Sequence, residues 1–291
     1  MKQLKSNIIL LLAAVIWGFA FVAQKAGMEF VGPWTYNGVR FILGGLSLIP
    51  VVFLFERGFE KERLKYTLFA GILTGFALFA AVNLQQVGLL YMDNVGKAGF
   101  LTGIYTVLVP VAGVLFFKMK SRANIWIGAI LALVGLFFVS FFDTFSFSLA
   151  DILVILSSLM FSVQILMVDK FSEKMYPIKF SSIQFLTCGV LSMITALITE
   201  TISIETILSA SLPILYGGLC SVGIAYTLQI IGQKNANPTA AAIIMSTESV
   251  FALLGGVLLR NETLSPLAGF GCVLIFAGII LAQLPERKAK A

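Results

Sequence analysis

Ten apolar runs, each long enough to cross a bilayer as a helix, follow one another along the chain at 7–27, 35–55, 66–90, 95–117, 123–142, 150–169, 179–199, 212–232, 238–259 and 265–284. A membrane-spanning helix needs about 20 mostly apolar residues, whereas a barrel strand needs about 10 in strict alternation. These runs are continuous, so the pattern predicts an all-α integral membrane protein of about ten transmembrane helices. Charge content agrees: 12% of the 291 residues are charged, against about 25% in a soluble domain. A soluble protein of this size would still need a polar surface, and lipid is the solvent that removes that need. The first run follows Lys2 and Lys5 in the manner of a signal peptide. It continues to about Gly27 without a small-residue cleavage site, however, and predicts helix one. Pro33, Pro177, Pro238 and Pro266 stand at helix starts, where a missing amide costs little. Pro110 falls inside helix four and predicts a kink there.

The formal net charge of +6 does not point to nucleic acid, because the basic residues sit in short clusters between the apolar runs. With residue 1 placed in the cytoplasm, 16 of the 20 lysines and arginines fall on cytoplasmic segments. Lys25, Lys97 and Arg260 fall on the other side, and Arg40 lies within helix two. This asymmetry predicts a multi-pass plasma-membrane protein with both ends in the cytoplasm.

Cofactor and metal chemistry find no footing. Histidine is absent, which removes the commonest proton shuttle and metal ligand. Cys188, Cys220 and Cys272 lie within apolar runs with no metal-ligand spacing. No P-loop is present, and Gly269-Phe270-Gly271 continues to Leu274 in an apolar helix, so neither nucleotide motif is met. An intramembrane enzyme would need a nucleophile beside a base, and every lysine lies outside the helices or at their ends. A scaffold would need a docking domain, and the longest cytoplasmic loop, about Glu56 to Lys65, is too short for one.

The chain repeats itself. At a shift of 144, Gly32-Pro33 with Arg40-Phe41 matches Tyr176-Pro177 with Gln184-Phe185, and Leu84-Gln85 with Gly88 matches Leu228-Gln229 with Gly232. At 143, Asn94 matches Asn237, and Gly128 and Gly135 match Gly271 and Gly278. The halves are thus 1–143 and 144–291. Five helices per half is an odd number, so the second half enters from the opposite side and the repeat is inverted. Two near-equivalent halves exchanging conformations about a fixed central site give alternating access, which points to a transporter.

These segments resemble the EamA type of the drug/metabolite transporter superfamily. Helix one carries AVIWGFAFVAQK, and the second half carries STESVFALLGGVLLRNETLSPLAGFGCVLIFAGIIL, with Glu248, Phe251, Glu262, Gly271 and Gly278 at matching positions. Three positions depart from the pattern: Ser249 where proline is common, Met119 in the first half where the second has Glu262, and Phe161 in helix six where helix one has Trp17. The resemblance implies a secondary active transporter, an exporter of small organic metabolites such as amino acids. It also implies a central cavity lined mainly by helices one, three, four, six, eight and nine. A proton-coupled exporter of cationic drugs or amines is the alternative. One chain holds both halves, so a monomer suffices and a dimer is not required. The expected partners are the substrate, the bilayer and protons, with no nucleic acid and no cofactor.

Several residues can serve a substrate or proton site. Glu248 lies mid-way along the helix-nine run, where a carboxyl costs about 2.5–3.5 kcal/mol on insertion scales and so should face protein or water. It can exchange a proton or attract an amine; it can equally bond Ser246, Thr247 or a neighbouring helix and fix packing. Trp17, Phe21, Tyr105 and Tyr226 can wall a cavity and accept a cation, or simply pack. Asn83, Gln85, Gln86, Gln164 and Gln229 can bond substrate or fasten helices, with Asn83 and Gln164 placed deepest. Arg40 can recognise a carboxylate or snorkel to the interface. Glu262, beside Arg260, suits a gate or a cap more than substrate contact. Gly71 with Gly75, and Gly99 with Gly103, are spaced for close helix contacts.

Overall fold

The computed structural model describes residues 2–58, 60–92, 95–118, 122–139, 148–260 and 265–284. Among them nine helices are long and apolar enough to cross a membrane, and a tenth, Ala123–Val139, is a shorter apolar helix. Helix one is Lys2–Gly27, helix three Lys61–Leu90, helix five Ala123–Val139, helix six Leu149–Phe171, helix seven Pro177–Thr199 and helix ten Pro266–Gln283. Helix two runs as Pro33–Ser47 and Ile49–Phe55, and helix eight spans Ser211–Gln233 with a π-helical stretch at Tyr216–Tyr226. The prolines at 33, 177, 238 and 266 each open a helix as expected. No strand occurs among the described residues.

Helices four and nine depart from the continuous spans that the apolar runs predict. Helix four is divided into Val95–Gly103 and Tyr105–Phe117, and helix nine into Pro238–Met245 and Glu248–Arg260. Pro110 lies inside the second half of helix four, beyond the division at Ile104. In helix nine the cause is local: the hydroxyls of Ser246 and Thr247 donate to the carbonyls of Ile243 (2.8 Å) and Ile244 (2.7 Å). Hydroxyls bonded back onto the preceding turn compete with the helical ladder and bend it.

The two halves lock together through equivalent residues. Glu56, just past helix two, accepts from the amides of Ile178 (3.0 Å) and Lys179 (2.9 Å) at the start of helix seven. Glu200, just past helix seven, accepts from the amides of Trp34 (2.9 Å) and Thr35 (2.8 Å) at the start of helix two. Each helix so capped lacks a side-chain hydrogen bond from its own N-cap residue. A carboxylate at a helix N-terminus satisfies orphan amides and meets the positive end of the dipole. The antiparallel pair is therefore clasped at both ends.

Helices five and ten cross backbone to backbone. A Cβ on Gly128 would lie 2.6 Å from the Gly278 carbonyl oxygen, and one on Gly135 2.6 Å from that of Gly271. Only glycine permits such an approach. Gly71 and Gly75 likewise admit Ile183 and Thr187 of helix seven against helix three.

Candidate functional site: a central cavity between the halves

The cavity lies where the two repeats meet and encloses about 490 Å³ of atom-free space, counting its mouth. Ten of its lining residues form five repeat-related pairs: Trp17 and Phe161, Phe21 and Ile165, Gln85 and Gln229, Thr102 and Met245, Tyr105 and Glu248. Equivalent positions converge on one space, as an inverted repeat requires, while the chemistry within each pair differs. The cavity is symmetric in construction and asymmetric in function groups.

Glu248 is 6% exposed and is the first residue of the second half of helix nine. Its Oε1 accepts from the Tyr105 hydroxyl at 3.1 Å. Of the packing partners the sequence offers, then, the carboxyl takes the neighbouring helix; Ser246 and Thr247 bond backward instead. Arg40 supplies the cavity's cation from helix two, a helix outside the set the resemblance implied. Its side chain is 2% exposed and buried, so it does not snorkel. Gly217 makes room for it, since a Cβ there would lie 3.1 Å from Arg40 Cδ and 2.8 Å from the Tyr36 hydroxyl.

Aromatic rings close much of the wall. Trp17 and Tyr226 meet edge to face with centroids 4.7 Å apart, and Tyr226 also contacts Phe41 (5.9 Å) and Phe185 (5.8 Å). The Trp17 indole donates to the Ser221 carbonyl at 3.2 Å, within the π-helical stretch of helix eight. Such stretches leave the helical ladder irregular and often mark functional sites.

Amides supply the remaining polarity. Gln85 Nε2 donates to Thr102 Oγ1 (3.0 Å) and Gln229 Nε2 to Gln164 Oε1 (3.1 Å). Gln24 Oε1, Gln164 Nε2 and Gln229 Oε1 are buried with no protein partner among the described residues. Buried polar atoms are normally satisfied, so these three are available to a ligand.

The structure thus brings Trp17, Phe21, Tyr105, Gln164, Tyr226, Glu248 and Arg40 to one cavity. Asn83 is not among the lining residues. It sits behind the wall, accepting from Asn37 Nδ2 (2.9 Å) and donating to Ser192 Oγ (2.8 Å), and so joins helices two, three and seven. Glu262 lies outside the described residues. Sequence reasoning missed Gln24, which follows Trp17 and Phe21 at the i, i+4, i+7 spacing of one helical face. No group of three or more metal-ligating side chains occurs among the described residues.

This arrangement, two five-helix repeats enclosing one central cavity, matches a known class. The EamA-like transporter family aligns with residues 4–141 and again with 148–284. The chain belongs to that family, as a multi-pass membrane protein. A relative from Archaeoglobus fulgidus, described as an uncharacterized transporter, is 31% identical over 97% of this chain and 87% of its own length. The uncharacterized transporter YoaV of Bacillus subtilis is 22% identical over 92% of each chain. The uncharacterized inner membrane transporter YedA of Escherichia coli is 26% identical over 93% of this chain and 88% of its own. A solved crystal structure superposes with a TM-score of 0.79 over 99% of both chains at 18% identity, a likeness of fold.

Proposed function

We propose that this membrane transporter is a secondary active exporter of small organic metabolites such as amino acids, working by alternating access around the central cavity. The observation that carries the reading is the set of five repeat-related pairs on one cavity, with Tyr105 and Glu248 at the divisions of helices four and nine. Inverted halves can interchange their conformations about such a site, exposing Glu248 to each side in turn. In this reading the Tyr105–Glu248 bond is exchanged for contacts to a proton or to substrate. One chain suffices, in the plasma membrane with both ends cytoplasmic, as the lysine and arginine asymmetry supports.

A second reading, a proton-coupled exporter of cationic drugs or amines, draws support from Glu248 standing among Trp17, Phe21 and Tyr226. Arg40 in the same cavity opposes it. The two separate in proteoliposomes loaded with radiolabelled leucine, phenylalanine or phenethylamine, with and without a pH gradient. Flux of the amino acids that depends on Glu248 supports the first reading; flux of the amine alone, driven by the gradient, supports the second. If Glu248→Gln, folded and inserted, moves every compound like the unaltered protein at all pH values, Glu248 is a packing residue.

A further inference from the structure

Among the described residues, Arg40 is the largest fully buried side chain and the one cation lining the cavity. Its Nε donates to Asn37 Oδ1 at 2.8 Å. Asn37 Nδ2 in turn donates to Asn83 Oδ1 (2.9 Å) and the Val82 carbonyl (3.1 Å), and Asn83 Nδ2 to Ser192 Oγ (2.8 Å). All four side chains are buried. The chain of amides occupies the inner nitrogen and fixes the guanidinium plane, while the rings of Phe41 and Tyr36 stand 5.0 and 5.3 Å from its carbon.

The terminal nitrogens are left over. They donate to no acceptor among the described residues, and the ion pairs found there, Lys65 with Glu62 and Lys97 with Asp151, do not include Arg40. A buried cation without an anion is costly, and cation–π contact recovers about 2 kcal/mol at best. A structural arginine turns its fork onto protein carbonyls or a carboxylate; this one is anchored by its inner nitrogen and lines the cavity.

We propose that Arg40 is the anion-recognition residue of the cavity, and that the substrate carries a single carboxylate bound by its terminal nitrogens. The planar fork matches a carboxylate in a bidentate pair. One guanidinium balances one negative charge, whereas a phosphate monoester brings nearly two. Asn37, Asn83 and Ser192 are positioning residues. The repeat-related position is the neutral Gln184, so the anion site exists in one half only and orients the substrate. The proposal deepens the transporter reading, and rests on it for where the ligand goes but not for its binding.

The test uses the full chain in nanodiscs and thermal unfolding with phenylalanine, leucine and phenylpropionate, set against phenethylamine and the amides of the two amino acids. A ligand that binds the folded state raises Tm with concentration. The three carboxylates should raise Tm, and the amine and amides should not. Arg40→Gln should abolish the shift, and Arg40→Lys should weaken binding at least about tenfold for loss of the fork. Stabilisation by the amine and amides as large as that by the acids overturns the proposal, as does the absence of a shift with all three acids. Both comparisons are made on the unaltered protein, so an Arg40 variant that fails to fold does not remove the decision. Carboxylate binding without flux in proteoliposomes sinks the transporter reading and leaves Arg40's role standing; flux of amines indifferent to a carboxylate does the reverse.

Discussion

Tyr105 and Glu248 are repeat-related, 143 positions apart, and the hydroxyl of one donates to the carboxyl of the other at 3.1 Å. Each opens the second segment of a divided helix, so the contact joins the two halves at their equivalent bends. A double-mutant cycle can isolate it. Tyr105→Phe should cost about 1 kcal/mol of stability, whereas Glu248→Gln, whose amide oxygen still accepts from the hydroxyl, should cost less. In the Glu248→Leu background, removing the hydroxyl should cost nothing further, because its partner is already gone. Equal costs in both backgrounds, read by thermal unfolding, would mean that the bond contributes nothing to holding the halves.

The membrane fold was legible because lipid imposes long apolar runs, and the odd helix count with matched residues forced inversion. The cavity's pairing was partly legible too: Gln85 with Gln229 and Trp17 with Phe161 stand out on alignment of the halves. Other features left no such mark. Glu56 and Glu200 obey the same shift of 144, yet each lies just past a helix, and only the antiparallel packing of helices two and seven gives it amides to cap. The division of helix nine depends on where two hydroxyls point, which an apolar run does not encode. Asn83 looked deep enough to meet substrate; the side of the wall it faces is decided by Asn37 and Ser192, on two other helices.

The clasp makes its own prediction. Glu56→Gln and Glu200→Gln each replace a carboxylate serving two amides by a neutral group with one accepting oxygen. Each should lower stability by about 1 kcal/mol, within the range for helix caps and dipole partners. Because the carboxylates sit at opposite ends of the same helix pair, the double variant should show the sum to within about 0.5 kcal/mol. A large departure from additivity in thermal unfolding would show the two ends to be coupled through the helices.

Two glycines in helix ten should answer alanine in opposite ways. A Cβ on Gly271 would lie 2.5 Å from the Gly135 carbonyl oxygen and 2.7 Å from the Val139 amide, while nothing lies within 4 Å of one on Gly269. Gly271→Ala must push helices five and ten apart and should cost about 1–3 kcal/mol. Gly269→Ala meets no neighbour and restricts the unfolded chain, so it should be neutral or stabilise by up to about 1 kcal/mol. Thermal unfolding of the two variants side by side decides whether the crossing is as close as described.

Gln24 and Gln85 both line the cavity, but the first has an acceptor oxygen without a protein partner and the second is bonded to Thr102 at 3.0 Å. That difference separates ligand binding from stability. Gln24→Met keeps the volume and removes a buried polar group that the fold does not satisfy, so melting should be unchanged or raised. Gln85→Met strands the Thr102 hydroxyl and should destabilise by about 1 kcal/mol. If Gln24 serves a ligand, its methionine variant should bind the stabilising compound more weakly despite its undiminished fold, the trade of activity for stability expected of a binding site. Unchanged ligand-induced shifts in Gln24→Met would assign that oxygen to the protein's own packing and leave the cavity's polar recognition to Gln164, Gln229, Arg40 and Glu248.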